Sequence, residues 1–459
     1  MIDPPADVCI VTFGCQMNKL DSQLLRGELL RAGFALTEDP DRARIVLYNT
    51  CSVRAHAENR VLSHLGAWRR RAGREPEFVL GVIGCMAQRL GGQLTRQFGH
   101  VRLVCGTRAF LRVPEYLRRL LAGEGTIVDT ATDAPVRFRR APAVRETPWQ
   151  AHVSVMRGCD NFCSYCIVPY VRGREVSRPP DDVVRECEAL AADGVREVTL
   201  LGQNVSGYGR GLPGEPVTLA DLLERVNEVP GLVRIRFITS HPRDTSEDLL
   251  RAVARLDKVC RHLHVPAQSG ADAVLARMGR GYTGSDYLRM TDRARELMPE
   301  VALASDFMVG FPGETEADFR DTLELVRRVR FQQSFVFKYS PRPGTRAARW
   351  PDDVPDEVKR ARNQALLAAQ EEVDRRRRSA LVGQTLQVMV EGPSKADPAR
   401  LCGRTGENDI VVFAGPRSLA GCLCRVRVIG ATVLTLHGEA AGEVRTPGGA
   451  GCPALRERN

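Results

Sequence analysis

The sequence predicts an α/β protein with three parts, and three observations support this fold class. Short apolar segments alternate with helical patterns over residues 1–130, which is typical of a doubly wound domain with a parallel sheet. The alternation restarts over residues 150–380 with six strand–helix units, which predicts an open, partial barrel of the TIM type. Residues 381–440 contain short strands separated by Gly, Pro and Asn turns, as in a small β-barrel.

Two segments lack any regular pattern. Residues 131–149 contain Pro and Arg without helical or strand periodicity, which predicts a linker between the first two domains. Residues 441–459 are rich in Gly, which predicts a disordered tail.

The composition indicates a globular protein that works in a reducing compartment. The chain has 459 residues, of which 43% are hydrophobic, so several cores can form. No apolar run approaches the ~18 residues of a membrane helix, and the N-terminus does not resemble a secretory signal. We therefore expect a cytoplasmic protein without a membrane partner, with most of its 14 cysteines reduced. The net charge of +10 is compatible with a polyanionic partner.

The N-terminal domain is predicted from four strands and three intervening helices. The predicted strands are Val8–Phe13, Ala43–Tyr48, Phe78–Ile83 and Val101–Val104. The predicted helices are Asp21–Ala32, Arg54–Arg71 and Ala87–Gln97. Strands joined by helical crossovers run parallel, so their carboxyl ends share one edge of the sheet.

Three cysteines occupy equivalent positions at that edge. Cys15, Cys51 and Cys85 each follow a predicted strand directly and precede a helix. Helix N-termini favour thiolates, and the small neighbours Gly14 and Gly84 allow a bulky ligand to approach. The alternative is a structural role, since cysteine is a common core residue. The repeated placement favours a second three-cysteine cluster site.

The central barrel is predicted from six strands, with helix start signals between them. The predicted strands are His152–Met156, Glu197–Leu201, Val233–Ile238, Arg261–Val265, Ala302–Val309 and Ser334–Tyr339. Thr218, Thr245 and Thr315 are the predicted N-terminal caps of three helices. Active sites in such barrels lie at the carboxyl ends of the strands.

The segment after the first barrel strand carries the strongest functional signal. Cys159, Cys163 and Cys166 form a CxxxCxxC array, which can bind a 4Fe–4S cluster and leave one iron open to a small molecule. Zinc is the alternative, but no fourth Cys or His lies nearby in the sequence. With Tyr165 before the last cysteine, the array resembles the signature of the radical S-adenosylmethionine (SAM) superfamily. In that superfamily the open iron binds SAM.

The other barrel strands are also followed by polar residues. Their recurrence at one end of the barrel predicts contacts with SAM and substrate, although any one of them alone is compatible with a structural role. The predicted cofactor-binding residues are Tyr165, Gln203, Asn204, Ser240, His264 and Gln268.

The C-terminal third of the chain carries clustered arginines. A long helical stretch, Pro355–Leu381, contains Arg375–Arg378, which predicts either a solvated helix face or a nucleic-acid contact. In the following barrel, four arginines are candidates for a face that binds single-stranded RNA: Arg404, Arg417, Arg425 and Arg427.

These motifs together resemble the methylthiotransferase family of radical SAM enzymes. The resemblance covers nearly the whole chain, from FGCQMN to LHGE, and includes NTCSVR, GCMAQ, RGCDNFCSYCIVPYVRGREVSRP, LLGQNV, HLHVPAQSG, DFMVGFPGET and FKYSPRPGT. The last domain, with VEGPSK and GRTGENDIVVF, is similar to the TRAM barrel. The flanks of the N-terminal cysteines, GCQMNKLDS and NTCSVRAHAENRV, look like the branch that modifies N6-isopentenyladenosine in tRNA.

The resemblance implies two 4Fe–4S clusters, one on Cys159, Cys163 and Cys166 that binds SAM and an auxiliary one on Cys15, Cys51 and Cys85. It implies transfer of a methylthio group to carbon 2 of N6-isopentenyladenosine beside the tRNA anticodon. One SAM would methylate a sulfur of the auxiliary cluster, and a second would yield the radical that removes the hydrogen. An electron donor such as flavodoxin or ferredoxin is implied, and the sulfur donor is not identified.

Two alternatives remain open at the level of sequence. Sister branches with the same cluster motifs methylthiolate threonylcarbamoyl-adenosine in tRNA or an aspartate of a ribosomal protein. A non-catalytic iron–sulfur protein that binds RNA or carries electrons would have similar cysteines, but the open iron and the polar strand ends argue against it.

Overall fold

The computed structural model describes residues 6–52, 55–132, 136, 138 and 144–442. These residues confirm the predicted fold class, with a six-stranded sheet, an open barrel and a closed barrel in chain order. Much of the predicted linker, and the predicted tail from residue 443 onward, lie outside the described residues. In the described part of the chain, no helix combines the length and apolarity needed to cross a membrane.

The N-terminal domain is a parallel sheet with helices on both faces. Its strands are β1 (Asp7–Phe13), β2 (Ala35–Leu36), β3 (Ile45–Thr50), β4 (Val79–Ile83), β5 (Val101–Cys105) and β6 (Ile127–Asp129). Its helices are α1 (Gln16–Arg31), α2 (Ala55–Ala67), α3 (Arg69–Arg74), α4 (Cys85–Leu90), α5 (Gly92–Gln97) and α6 (Val113–Leu121). The strand order is β2-β1-β3-β4-β5-β6, which makes β1, β3 and β4 neighbours.

Two hydrophobic cores cover the two faces of this sheet, and β3 contributes to both. Ile45 and Leu47 belong to the core under α1 and α6, while Val46 and Tyr48 belong to the core under α2 and α5. Burial on both faces explains why the strands read as continuous apolar runs rather than as alternating patterns.

Four features of this domain were not predicted, one of which is the division of the predicted helix Ala87–Gln97 at Gly91 into α4 and α5. Strands β2 and β6 could not be predicted because they have two and three residues, which are too few for a periodic pattern. Helix α6 is also additional. The predicted helix Arg54–Arg71 is divided at Trp68, whose Nε1 donates a hydrogen bond of 2.8 Å to Tyr48 Oη. This tertiary contact is not visible in a local sequence pattern.

The central domain is an open barrel with helices outside it. Its strands are β7 (Gln150–Ser154), β8 (Met156–Arg157), β9 (Val176–Ser177), β10 (Glu197–Leu201), β11 (Arg234–Ile238), β12 (His262–His264), β13 (Ala302–Val309) and β14 (Gln333–Lys338). Its helices are α7 (Val168–Arg172), α8 (Pro180–Ala192), α9 (Leu219–Asn227), α10 (Glu247–Arg255), α11 (Asp272–Met278), α12 (Gly284–Leu297) and α13 (Glu316–Val329).

Six parallel strands form the barrel wall in the order β7-β10-β11-β12-β13-β14. The pairings β7-β10-β11 and β12-β13-β14 are regular. The two halves are joined by a bridge between Ile235 and Val259 and by a 2.9 Å hydrogen bond from Ser240 N to His264 O. The carboxyl ends of these six strands, here called the barrel rim, therefore lie together, as predicted.

Two of the three predicted helix caps are confirmed. Thr218 and Thr315 form capping boxes with Asp221 and Asp318. The prediction for Thr245 was wrong by one residue, because Ser246 immediately precedes α10 and its side chain accepts from Leu249 N at 3.2 Å.

A long helix, α14 (Asp356–Ser379), leads into the closed C-terminal barrel. That barrel consists of β15 (Thr385–Pro393), β16 (Leu401–Thr405), β17 (Ile410–Phe413), β18 (Leu423–Ala431) and β19 (Leu436–Ala440). The strands close in the order β15-β16-β17-β19-β18. The segments TLQVMVEG, DIVVFAG, CRVRVIGA and TVLTLHG predict four of these strands. Strand β16 was not predicted, since Gly403 and Arg404 interrupt its apolar pattern.

Arginines that are wholly or partly buried attach this C-terminal barrel to the central domain. Arg377 of α14 donates to Asp409 through Nη1 at 3.0 Å, and Arg378 lies 3.7 Å from the same carboxylate. Arg234 and Arg236 of β11 donate to backbone carbonyls of β15, β16 and the turn after β16. Two of the four arginines in the predicted run Arg375–Arg378 therefore hold the domains together, instead of only facing solvent or contacting nucleic acid.

Candidate functional site

The loop after β8 carries Cys159, Cys163 and Cys166 at the barrel rim, and the fold holds it closely. The backbone N–H of Gly158 donates to Gln203 Oε1 at 2.6 Å, and Cys159 N donates to Gly173 O at 3.2 Å. Ser164 is tied to the end of α11 by a 2.8 Å bond from its N–H to Met278 O. Neighbouring strands and helices therefore fix the conformation of the cysteine loop.

Gly158 adopts a backbone conformation that this close packing requires. Its φ is +81°, and a Cβ at this position would lie 2.0 Å from the carbonyl oxygen of Arg174. Any side chain would push the cysteine loop away from the backbone of Gly173 and Arg174, between α7 and β9.

We expect Gly158→Ala to lower the free energy of unfolding by about 1–3 kcal/mol more than Gly211→Ala, as is typical of overpacking. Gly211 is the matched control, because its φ is +75° and nothing lies within 4 Å of the position that a Cβ would occupy there. Urea denaturation of both purified variants measures the difference. Equal losses would show that the close approach at Gly158 does not matter.

Cys163 is buried and Cys159 and Cys166 are half-buried, and Cys163 accepts a hydrogen bond from a buried arginine. Burial raises the pKa of Cys159 to about 11 and that of Cys166 to about 12. Arg280 Nη1 lies 3.5 Å from Cys163 Sγ, while its Nη2 donates to Pro266 O at 2.7 Å. Coordination deprotonates such thiols outright. The loop therefore suits a group that binds thiolates.

The six predicted cofactor-binding residues all lie near the barrel rim but differ in their surroundings. Gln203 supports the cysteine loop through Gly158 N. Asn204 donates to Asp244 Oδ2 at 2.7 Å. Tyr165 packs edge-on against Phe311, with ring centroids 6.3 Å apart. Gln203, Asn204 and Tyr165 thus have structural contacts of their own.

The other three retain polar atoms that could contact a ligand. Ser240 Oγ and His264 Nδ1 are buried and have no hydrogen-bond partner among the described residues. His264 Nε2 lies 3.4 Å from Asp306 Oδ1. Gln268 has a φ of +69°, and its backbone pairs with β13.

More buried polar atoms without a described partner lie at the same rim. They are both carboxylate oxygens of Glu175, His241 Nε2 and Tyr339 Oη. Burial raises the pKa of Glu175 to about 7 and lowers that of His241 to about 3. Each unsatisfied buried polar group costs about 1–3 kcal/mol. A small, polar ligand at the rim would satisfy them, and SAM has amino, carboxylate and hydroxyl groups for this purpose.

Cys15, Cys51 and Cys85 lie at the ends of three adjacent strands, β1, β3 and β4. A hydrogen bond with Cys51 lowers the pKa of Cys15 to about 6. A Cβ on Gly14 would lie 2.7 Å from Cys51 Cβ, so only glycine fits between these two cysteines. Cys85 is the first residue of α4. The three N-terminal cysteines therefore lie at neighbouring strand ends, as predicted.

The two cysteine triads lie on opposite sides of one domain interface. Helix α7, which begins just after Cys166, packs against α4, and Cys85 shares an apolar cluster with Ile167 and Val171. Thr107 Oγ1 adds a 2.6 Å hydrogen bond to Val171 O. The N-terminal domain therefore covers the barrel rim beside the cysteine loop.

Neither triad forms a disulfide or a site for a single metal ion. All cysteines among the described residues are reduced. In the same part of the chain, no three His, Cys, Asp or Glu side chains are arranged to bind one ion. A 4Fe–4S cluster is larger than a single ion and accepts thiolates on separate irons.

Sequence reasoning missed the charged residues around the triads. Asp21 accepts from Arg157 Nη2 at 2.8 Å and from Arg172 Nη1 at 2.7 Å, and all three residues are buried. Burial alone would raise the pKa of Asp21, but Arg172 and Arg157 together hold it below its usual value. Arg280 and Glu175 were also missed. The arginines occur within or near quoted motifs, but their partners lie far away in the sequence.

Two families match most of the chain. Residues 153–326 match the Radical SAM superfamily, and residues 7–106 match a family described as Uncharacterized protein family UPF0004.

Curated relatives resemble the chain over almost its full length. A protein of Moorella thermoacetica is 45% identical over 433 residues, which cover 94% of this chain and 97% of the relative. One of Syntrophomonas wolfei is 44% identical over 439 residues, covering 96% and 98%. One of Caldicellulosiruptor saccharolyticus is 42% identical over 432 residues, covering 94% and 91%. Each of the three is named tRNA-2-methylthio-N(6)-dimethylallyladenosine synthase.

A solved structure supports the fold. The radical SAM methyltransferase TsrM from Kitasatospora setae, with cobalamin and a [4Fe-4S] cluster bound, superposes with a TM-score of 0.54 at 16% identity. The match covers 75% of this chain and 77% of TsrM.

Proposed function

Because this chain belongs to the tRNA-2-methylthio-N(6)-dimethylallyladenosine synthase family of radical SAM methylthiotransferases, we propose that it adds a methylthio group to carbon 2 of N6-isopentenyladenosine beside the tRNA anticodon. The observation that carries this proposal is the position of the two cysteine triads at one domain interface, where Cys85 packs against Ile167 and Val171 of the segment after Cys166. Such a reaction needs SAM cleavage and a sulfur source near the same base. A family of this kind uses SAM and a 4Fe–4S cluster.

We assign the SAM cluster to Cys159, Cys163 and Cys166. When bound, it would supply the electron that cleaves SAM to a radical able to remove the hydrogen from carbon 2. Gln203 holds the loop through Gly158, and Arg280 stabilises negative charge on Cys163. The unpartnered polar atoms of the rim would bind and orient SAM: Glu175, Ser240, His241, His264 and Tyr339.

We further propose that Cys15, Cys51 and Cys85 bind a second 4Fe–4S cluster. Its support is the position of these cysteines at three adjacent strand ends and the close approach of Gly14 to Cys51. The N-terminal domain covers the rim and would exclude water from the reacting carbon.

Recognition of tRNA is proposed to involve two surfaces. Arg417, Arg425 and Arg427 are exposed on the C-terminal barrel and would contact phosphates. Phe162 of the cysteine loop and Tyr170 of α7 are 43% and 51% exposed, with ring centroids 6.2 Å apart. Such aromatic rings can stack on a base splayed out of a single-stranded loop. A cytoplasmic electron donor such as flavodoxin or ferredoxin would complete the system.

Deleting this gene is expected to remove 2-methylthio-N6-isopentenyladenosine from cellular tRNA and to cause its unthiolated precursor to accumulate. The apolar prenyl group is a feature that a pocket can bury, so tRNA without it should react poorly. Mass spectrometry of tRNA nucleosides, with the gene restored on a plasmid as the control, measures both species. Loss of the threonylcarbamoyl derivative instead, or a mass change confined to a ribosomal protein, would assign the chain to a sister activity.

A further inference from the structure

Three buried charges between the two triads leave one positive charge unbalanced. Arg157 and Arg172 both donate to the single carboxylate of Asp21, and each of the three residues is less than one-tenth exposed. No second acidic side chain pairs with either arginine among the described residues. An uncompensated charge in a protein interior costs several kcal/mol. A negatively charged partner is therefore expected beside this group.

Arg172, rather than Arg157, is directed toward the N-terminal cysteines. It ends helix α7, which packs against the helix that begins at Cys85. Its buried Nη2 atom has no oxygen or nitrogen partner among the described residues, and its guanidinium lies within hydrogen-bonding reach of the Cys85 thiol. Its charge acts on both Cys85 and Cys15. The Arg157 guanidinium instead stacks over Phe110, 5.2 Å from the ring centroid. The two arginines share one carboxylate but face different surroundings.

We propose that Arg172, held in place by Asp21, is a positioning residue of the auxiliary site that balances the negative charge of a cluster bound by Cys15, Cys51 and Cys85 and raises its reduction potential. This inference rests on the second cluster of the proposed function. An oxidised 4Fe–4S core with three thiolates is anionic, and reduction adds a further negative charge. A nearby guanidinium in a poorly screened interior stabilises the reduced form more than the oxidised form. Its removal therefore lowers the potential.

The test is an anaerobic redox titration of the reconstituted full-length enzyme, followed by electron paramagnetic resonance. The signal that remains when Cys159, Cys163 and Cys166 are replaced by alanine identifies the auxiliary cluster. We expect Arg172→Gln to reduce the ratio of reduced to oxidised auxiliary cluster at least tenfold at a fixed potential, which is about 59 mV for a one-electron couple. Arg172→Lys keeps the charge and is expected to restore most of this loss.

Arg157→Gln is the matched control, because it removes an equally buried partner of Asp21. It is expected to change the ratio far less than Arg172→Gln. An unchanged potential in Arg172→Gln, or an equal shift in Arg157→Gln, would overturn the inference.

Measuring the iron content of the variants and of the wild-type enzyme distinguishes the remaining outcomes. Loss of the auxiliary cluster in Arg172→Gln alone, with Arg172→Lys and Arg157→Gln retaining it, supports the charge-balancing role. Loss in all three variants would show that the arginine–aspartate group only holds the domains together, which overturns it. If the reconstituted wild-type enzyme bound only one cluster, the proposal of a second cluster would itself be wrong.

Discussion

Replacing Cys159, Cys163 and Cys166 together with alanine is expected to lower the iron content of the reconstituted protein from about eight to about four per chain, since each 4Fe–4S cluster contributes four irons. The same variant is expected to lose SAM cleavage entirely, because the open iron that binds SAM is lost with its loop. Iron analysis and detection of 5′-deoxyadenosine after anaerobic reconstitution measure the two effects.

The complementary variant separates the two sites. Alanine at Cys15, Cys51 and Cys85 is also expected to leave about four irons, yet to spare SAM cleavage that is no longer coupled to methylthio transfer. The control replaces Cys105, Cys187 and Cys260, which are buried outside both triads, and is expected to keep all the iron. If either cluster variant retained its full iron content, the assignment of ligands would be wrong.

Asp409→Ala is expected to loosen the C-terminal barrel and to cost about 3–5 kcal/mol of stability, the usual effect of removing one partner from a buried ion pair. The Asp409 side chain is only 3% exposed and accepts from Arg377 and Gln332, with Arg378 close by. Without it, Arg377 would lose its counter-ion, and the buried Arg378 would keep only Asp374, 3.7 Å away. Urea denaturation followed by circular dichroism measures the loss.

Glu372→Ala is the matched control for Asp409→Ala. Glu372 pairs with Arg376 on the same helix, but the two side chains are 59% and 80% exposed, so this pair contributes about 0–1 kcal/mol. If the two variants lost equal stability, the buried carboxylate would not be what holds the barrel.

The same Asp409 variant also tests the role of the C-terminal barrel in binding tRNA. We expect its tRNA affinity to fall toward that of a chain lacking residues 382–459, while SAM cleavage at the distant rim is preserved. In the intact protein, tRNA binding should weaken steeply with salt, because phosphate contacts release counter-ions. Unchanged affinity after deletion of the barrel would remove this role.

Local patterns in the sequence determined the fold class and the order of its elements. Apolar runs of five to eight residues predicted strands such as β10 and β13 with their observed bounds, because burial on both faces leaves a continuous apolar segment. Thr218 and Thr315 were recognised as caps because a capping box is complete within four residues. The cysteine positions after strands could be predicted, since parallel strands end at a common edge.

Tertiary structure alone decided which distant groups meet. Asp21 and Arg172 are 151 positions apart, and Arg280 and Cys163 are 117 apart, so no local pattern relates them. The arginine run of α14 could be predicted as charged, but its pairing with Asp409 depends on where the C-terminal barrel docks. A helix or strand follows from the periodicity of its own residues. The balance of buried charge depends on long-range packing, and packing is what places one guanidinium beside the N-terminal cysteines and another beside the barrel cysteines.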